Sequence, residues 1–331
     1  MLDGRSLYAY THGMETTGIS VIYQDHHLLI VNKPPGLVTH PTYKHADGTL
    51  WDALLAYSEQ QGKDDWQPPE LPDEPEWALA PSDIQEKLRQ RRNERLWQED
   101  GLLPRPCLLH RLDKDTSGVV ALARTERSRR HLVKQFHDHT IEKRYVAVVQ
   151  KDSDDWSRPR ALFTVVKQEA NGQEVQIEPP PALLPANTFV LDGPLQRDPY
   201  DRRRCIVGPE GQPSSTRVVV LNVEGDFALL EVQPITGRTH QIRAHLAAFG
   251  YAIVGDQMYA PQASADSAAA QLSRQFLHAY CLELHRYPDN VRSAFVASLP
   301  ADLANWLQRY CPALWQTWLS VESQRANLAQ A

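Results

Sequence analysis

Residues 107–123 read Cys107-Leu108-Leu109-His110-Arg111-Leu112-Asp113-Lys114-Asp115-Thr116-Ser117-Gly118-Val119-Val120-Ala121-Leu122-Ala123. An apolar run enters a polar loop that ends in glycine, and Val119 to Ala123 leave it as a strand. Beyond it, Glu126 to His137 has helical spacing, with Leu132, Val133 and Phe136 expected inward, and Tyr145 to Val149 reads as another strand. Further strands are expected at Leu162 to Val166, Glu174 to Ile177, Thr216 to Val223 and Phe227 to Val232, the last two joined as a hairpin by Glu224-Gly225-Asp226. On the other side, Ile19 to Tyr23 and His27 to Val31 flank a turn at Gln24-Asp25-His26. Thr49 has the character of an N-cap for a helix carrying Leu50, Leu54 and Tyr57. Thr239 to Phe249 reads as a helix ended by Gly250, with helices again at Ala301 to Tyr310 and Leu314 to Gln324. Strands dominate and helices fall among them irregularly, so the class is α+β with a mixed sheet.

The 331 residues are 42% hydrophobic and 23% charged, enough for a sizeable core and unlike a disordered chain. No apolar run is long enough to cross a bilayer, and Met1 to Gly18 lacks an apolar signal core, so a cytoplasmic protein without membrane contact is expected. The four cysteines, Cys107, Cys205, Cys281 and Cys311, form no Cys-x-x-Cys pair, which suits free thiols in a reducing compartment. His240 and His245 are five apart rather than four on their helix, and His137 and His139 sit at a helix end, so no metal site is expected.

Net charge is −6, but it is unevenly placed. Acid gathers between residues 59 and 100. Base gathers at Arg124 to Arg144 and at Arg202, Arg203 and Arg204, so one face could meet a polyanion or simply be solvated. Glu59 to Pro81 is proline-rich and aperiodic, and Ser82 is expected to cap a charged, solvent-exposed helix from Asp83 to about Trp97. Residues 59–103 thus read as an acidic insertion, expected away from any face that meets a polyanion or against a protein partner, with a gate over that face as the alternative.

Phosphate-loop, dinucleotide, zinc-protease and nucleophile-elbow motifs are absent from the sequence. Four segments could carry chemistry. Asn32 to Pro41 is a strand leaving into a rigid turn. His110 to Gly118 offers Asp113 between Arg111 and the hydroxyls of Thr116 and Ser117, an arrangement equally suited to a salt-bridged surface turn. Its glycine would let a ligand's backbone approach closely. Lys143-Arg144-Tyr145 opens a strand, and its tyrosine could be core, could stack on a base or could move a proton with its phenol. Thr236 to Arg243 runs from a strand into a helix, with Arg238 before the helix and Arg243 within it. Each alone has an ordinary structural explanation.

Together and in this order, the segments resemble the RluA family of pseudouridine synthases. The matching runs are K-P-P-G-L-V-T-H-P at Lys33 to Pro41, H-R-L-D-K-D-T-S-G at His110 to Gly118, K-R-Y-V-A at Lys143 to Ala147 and T-G-R-T-H-Q-I-R-A-H-L at Thr236 to Leu246. Gly255-Asp256 with Tyr259, Leu277-His278-Ala279, Pro194-Leu195 to Asp201 and Pro213 to Thr216 continue it. The resemblance implies a mixed, largely antiparallel β-sheet catalytic domain with flanking helices and an RNA-binding cleft across it. It implies an isomerase acting on ribosomal or transfer RNA, with no organic cofactor and no required metal. Asp113 falls on the family's essential aspartate, Tyr145 on the tyrosine that contacts the base, and Arg243 on the arginine that pairs with the aspartate. Arg111 is similar to the arginine that helps to extrude the nucleotide. His110, Thr116, Arg238, His240, Lys33, Lys143 and Arg144 are the further candidates for touching RNA.

The implied division is a short extension at 1–18, a catalytic domain at 19–312 interrupted by 59–103, and a C-terminal helix and tail at 313–331. Met1 to Gly18 is too short for the S4 domain that many relatives carry, and a monomer is expected. Pseudouridine formation breaks N1–C1′, turns the uracil and joins C5 to C1′, which consumes no hydride, phosphate or electron donor. Glycosidases commonly use two carboxylates; the resemblance supplies one carboxylate and one arginine, the arginine holding the aspartate ionised and aimed. Attack at C1′ and removal of the 2′-proton are both open to Asp113. The rival functions are a catalytically inactive RNA-binding or chaperone protein on the same fold, and a hydrolase using Asp113 with a histidine.

Overall fold

Leu28, Ile30 and Leu29, Val31 send alternate side chains to two apolar layers, which makes β2 (Leu28–Lys33) an interior strand beside β1 (Ser20–Gln24). The Asp25 carboxylate accepts the N–H groups of His27 and Leu28 and closes the turn between them. The computed structural model describes residues 19–41, 46–60, 73–151, 162–169, 171–178, 181–260 and 267–330. Part of the proline-rich stretch therefore lies outside the described residues.

Helix α1 (Leu50–Gln60) opens with a reciprocal cap. The Thr49 N–H and hydroxyl both donate to Asp52, and the Asp52 N–H returns to the Thr49 hydroxyl. Helix α2 (Ser82–Asp100) starts after Pro81, so Ser82 is its first residue and not its cap, and no side chain caps it. It also runs past Trp97, because Asp100 and Glu99 are tied to Arg127 at its far end. Then come β3 (Leu102–Leu108), β4 (Ser117–Thr125), α3 (Glu126–His137) and β5 (Glu142–Lys151). In α3, Leu132 is buried, but Val133 is 43% exposed, contrary to expectation. One residue of rotation takes Val133 off the stripe formed by Ser128, Leu132 and Gln135.

Strands β6 (Thr164–Gln168), β7 (Glu174–Ile177), β8 (Thr188–Asp192), β9 (Leu195–Arg197) and β10 (Cys205–Val207) precede the long hairpin of β11 (Ser215–Glu224) and β12 (Phe227–Pro234). Helix α4 (Gln241–Phe249), β13 (Tyr251–Ile253), β14 (Leu277–His285), β15 (Arg292–Val296), α5 (Ala301–Tyr310) and α6 (Pro312–Gln330) complete the order. Among the described residues one 13-stranded sheet runs β1-β2-β4-β14-β5-β12-β11-β8-β6-β7, with β13, β15 and β3 on its flanks and β9–β10 a separate hairpin. All its pairings are antiparallel except β4 with β14, where Ser117 and Gly118 face His278 and Ala279. Leu314 and Trp318 of α6 are fully buried in the main core, so the helix after residue 312 packs as part of the same body.

Candidate active site and RNA cleft

The parallel contact of β4 with β14 places the His110–Gly118 loop at the middle of the sheet. Gly118 has φ +125°, and a Cβ there would lie 2.2 Å from the Ala279 carbonyl oxygen. The backbone that approaches this glycine is therefore the protein's own β14 and not that of a ligand. The loop is held from below. Thr116, 2% exposed, receives a hydrogen bond from Gln275, the Thr116 N–H donates to the Asp113 carbonyl, and Thr39 donates to the Leu112 carbonyl. Thr116 borders the cleft but spends its hydroxyl inside the protein.

Above the loop lies a cleft of about 350 Å³. Asp113, Tyr145, Arg243, His240, Lys143, Arg111 and Arg238 all line it. Alternation along β5 explains which members of Lys143-Arg144-Tyr145 arrive there. Lys143 and Tyr145 share the cleft face, whereas Arg144 points to the other face and pairs with Glu231 at 2.9 Å and Glu142 at 2.5 Å. Arg144 is thus not a cleft residue. Lys33 is absent from it too. Its ammonium, 0% exposed, donates to the carbonyls of Pro34, Leu37 and Lys114 at 2.8–2.9 Å and ties the Pro34–Pro41 turn to the Asp113 loop. Burial pushes Lys33 down to about 7, against the pull of Asp115 and Asp113.

Arg243 organises the centre. Its Nε and Nη2 clasp Asp256 at 2.7 and 2.8 Å, and its Nη1 reaches Asp113 Oδ2 at 3.2 Å. Its guanidinium also lies 5.0 Å from the ring centre of Tyr259. Asp256 is wholly buried and accepts the N–H groups of Met258 and Tyr259 as well, so the clamp is fixed on both sides. Burial works against the Arg243 charge, but Asp256, with Asp113, outweighs it and raises the guanidinium above its usual range. Asp256 and Tyr259 stood in the sequence only as members of a motif. Nothing in their local pattern tells that they back the arginine.

His240 caps α4 with φ +54°, a conformation that non-glycine residues seldom adopt, and its Nε2 lies 3.9 Å from Asp113 Oδ2. Burial lowers its pKa, while the charge of Asp113 opposes the shift. Gln241 fixes the turn before it. Its amide oxygen accepts from the Thr236 hydroxyl and the Arg238 N–H, and its nitrogen donates to Ser215 and Thr216.

Tyr145 is 8% exposed, and burial, with a smaller effect of Asp113, raises its phenol well above the usual value. Lys143 is lowered to about 8 by burial. His110 forms part of the wall, with its ring stacked on Phe136 and its Nε2 accepting the Ala121 N–H. Burial lowers it to about 3, so it is neutral at physiological pH. Arg111 and Arg238 are exposed at the rim. His245 is fully buried, between Thr216 and the Gly193 carbonyl. Among the described residues of 59–103 none lines the cleft, and α2 packs on α3 instead.

The arrangement is a carboxylate half in water, a rigid cation behind it, a protonated phenol beside it and cations at the rim. The sequence pattern described as RNA pseudouridylate synthase matches residues 27–248. An RNA pseudouridine synthase of Chloroflexus aurantiacus is 37% identical over 82% of this chain and 63% of its own length. The chain therefore spans less than two thirds of that relative. The ribosomal large subunit pseudouridine synthase D of Nitrosomonas europaea is 29% identical over 93% of this chain and 70% of its own. Among solved structures, human RNA pseudouridylate synthase domain containing 4 superposes with a TM-score of 0.52 at 21% identity, covering 87% of this chain and 92% of that one. That likeness is one of fold.

Proposed function

Because the chain belongs to the RNA pseudouridylate synthase family, we propose that it isomerises a uridine of structured RNA to pseudouridine, with Asp113 as the reacting carboxylate. The observation that carries this is the chain of contacts Asp256–Arg243–Asp113 on the floor of a cleft walled by Tyr145. The arginine spends two hydrogen bonds on Asp256 and turns its remaining arm to Asp113, which presents that carboxylate in one orientation to whatever enters.

A uridine must leave its stack to reach this floor, at a cost of about a few kcal/mol, so unpaired loops are the favoured substrates. In this reading Arg111 and Arg238, exposed at the rim, meet its phosphates. In the reaction N1–C1′ breaks, C5–C1′ forms, C5 gives up its proton and N1 ends protonated. Asp113 serves either by attacking C1′ or by taking the 2′-proton, and both need the same orientation. The raised phenol of Tyr145 favours a ring that packs on the detached uracil over a base that receives a proton. The name of the Nitrosomonas europaea relative makes unmodified large-subunit ribosomal RNA the first substrate to try.

The test is tritium release from RNA labelled at uridine C5. Wild type releases tritium, and Asp113→Asn loses at least about a thousandfold in rate. Equal release by both proteins, or none by wild type from ribosomal or transfer RNA transcripts, defeats the proposal. The second outcome favours an inactive RNA-binding protein on this fold.

A further inference from the structure

The hairpin of β9 and β10 ends in a loop, residues 198–204, that contributes nothing to the cleft wall described above. At its tip Tyr200 is 96% exposed, the highest value for a large hydrophobic side chain among the described residues. Single exposed aromatics are common on soluble proteins, but three features set this one apart.

The loop is braced. The buried Asp198 carboxylate accepts the Tyr200 N–H at 2.9 Å and the Arg204 Nε at 2.5 Å, and Asp201 is clasped by Arg203. The loop also stands beside the reacting groups. Cys205, paired across the hairpin with Arg197, is bonded through both its N–H and its carbonyl to the Tyr259 hydroxyl. The same hydroxyl meets His240, the neighbour of Asp113. Finally, Arg197, Arg202 and Arg203 of the same hairpin are exposed, the Arg197 guanidinium donates to the Arg202 carbonyl, and among the described residues Arg197 and Arg202 pair with no carboxylate. An exposed aromatic on a braced loop, in a hairpin whose Arg197 and Arg202 pair with no carboxylate among the described residues, suits a single-stranded polyanion whose bases can stack.

We propose that Tyr200 stacks on an unpaired base of the substrate RNA beside the extruded uridine, with Arg197 and Arg202 on adjoining phosphates. This rests on the reading that the cleft takes RNA. A protein partner would be met here by apolar contact, and the exposed Arg197 and Arg202, paired with no carboxylate among the described residues, argue for the polyanion.

The experiment measures binding of radiolabelled, unmodified ribosomal and transfer RNA transcripts to proteins that also carry Asp113→Asn, so that binding is read without turnover. Tyr200→Ala weakens binding about tenfold, Tyr200→Phe binds as the parent does, and Tyr200→Leu is as weak as Tyr200→Ala. In the active background Tyr200→Ala raises KM and leaves kcat at saturating RNA unchanged. Parental binding by Tyr200→Ala overturns the proposal. So does a Tyr200→Phe as weak as Tyr200→Ala, which marks a hydroxyl contact, or full rescue by Tyr200→Leu, which marks apolar contact. Absence of RNA binding by the parent sinks it together with the proposed function. If wild type releases no tritium while Tyr200→Ala still weakens binding, only the catalytic reading fails.

Discussion

Arg243 has one arm for Asp113 and two for Asp256, so removing the second carboxylate should misdirect the first without touching RNA. Asp256→Asn keeps the shape but loses the ionic clasp, and kcat for tritium release is expected to fall about a hundredfold with RNA affinity unchanged. A fall in affinity with constant kcat would show that Asp256 serves binding. Lys143 gives a pH signature. Its amine loses its proton as pH rises through about 8, so RNA affinity should drop between pH 7 and 9, by about tenfold for one charge-assisted contact. In Lys143→Gln that step disappears from a titration of Kd against pH. Its folded pKa lies below the free side chain's 10.5, so in this window Lys143 makes the fold more stable, not less, as pH rises. At this scale the sequence was informative where motifs named residues. Asp113, Arg243 and Tyr145 meet in one cleft. It says less at Arg144 and Lys33, because a string of basic residues does not say which strand face each takes or whether an ammonium is already claimed by carbonyls.

Elements with one dry and one wet face were the readable ones. Helix α3 begins and ends where its spacing predicts, and the β11–β12 hairpin forms around Gly225 at φ +58°. Strand β14 was not seen. Its residues Leu-His-Ala-Tyr-Cys-Leu-Glu-Leu-His are covered on both faces, so no polar alternation marks them, and two histidines break the apolar run. That strand nevertheless fixes the loop of Asp113. Gly118→Ala drives a methyl into the Ala279 carbonyl at a φ that alanine avoids, and should cost more than about 3 kcal/mol. Urea unfolding measures this, and a loss under 1 kcal/mol would mean that β4 and β14 can part without harm.

Across the whole molecule, the sheet order sets β14 between β4 and β5, although some 125 residues separate β5 from it in the chain. A chain stopped before Leu277 therefore lacks the strand that joins the β1-β2-β4 side to the rest. It should show no cooperative unfolding transition by circular dichroism, whereas the full chain does. A sharp transition in the shortened chain would mean that the two sides close without β14. This topology has a consequence for the moment of birth. On a ribosome the Asp113 loop is made early, but it has no floor until residue 285 has cleared the exit tunnel. The Asp113 loop can therefore take up its shape only after β14 has emerged, and until then the open edges of β4 and β5 wait as hosts for any stray strand. Chaperone demand should accordingly last until β14 emerges, and not end with the emergence of the Asp113 loop.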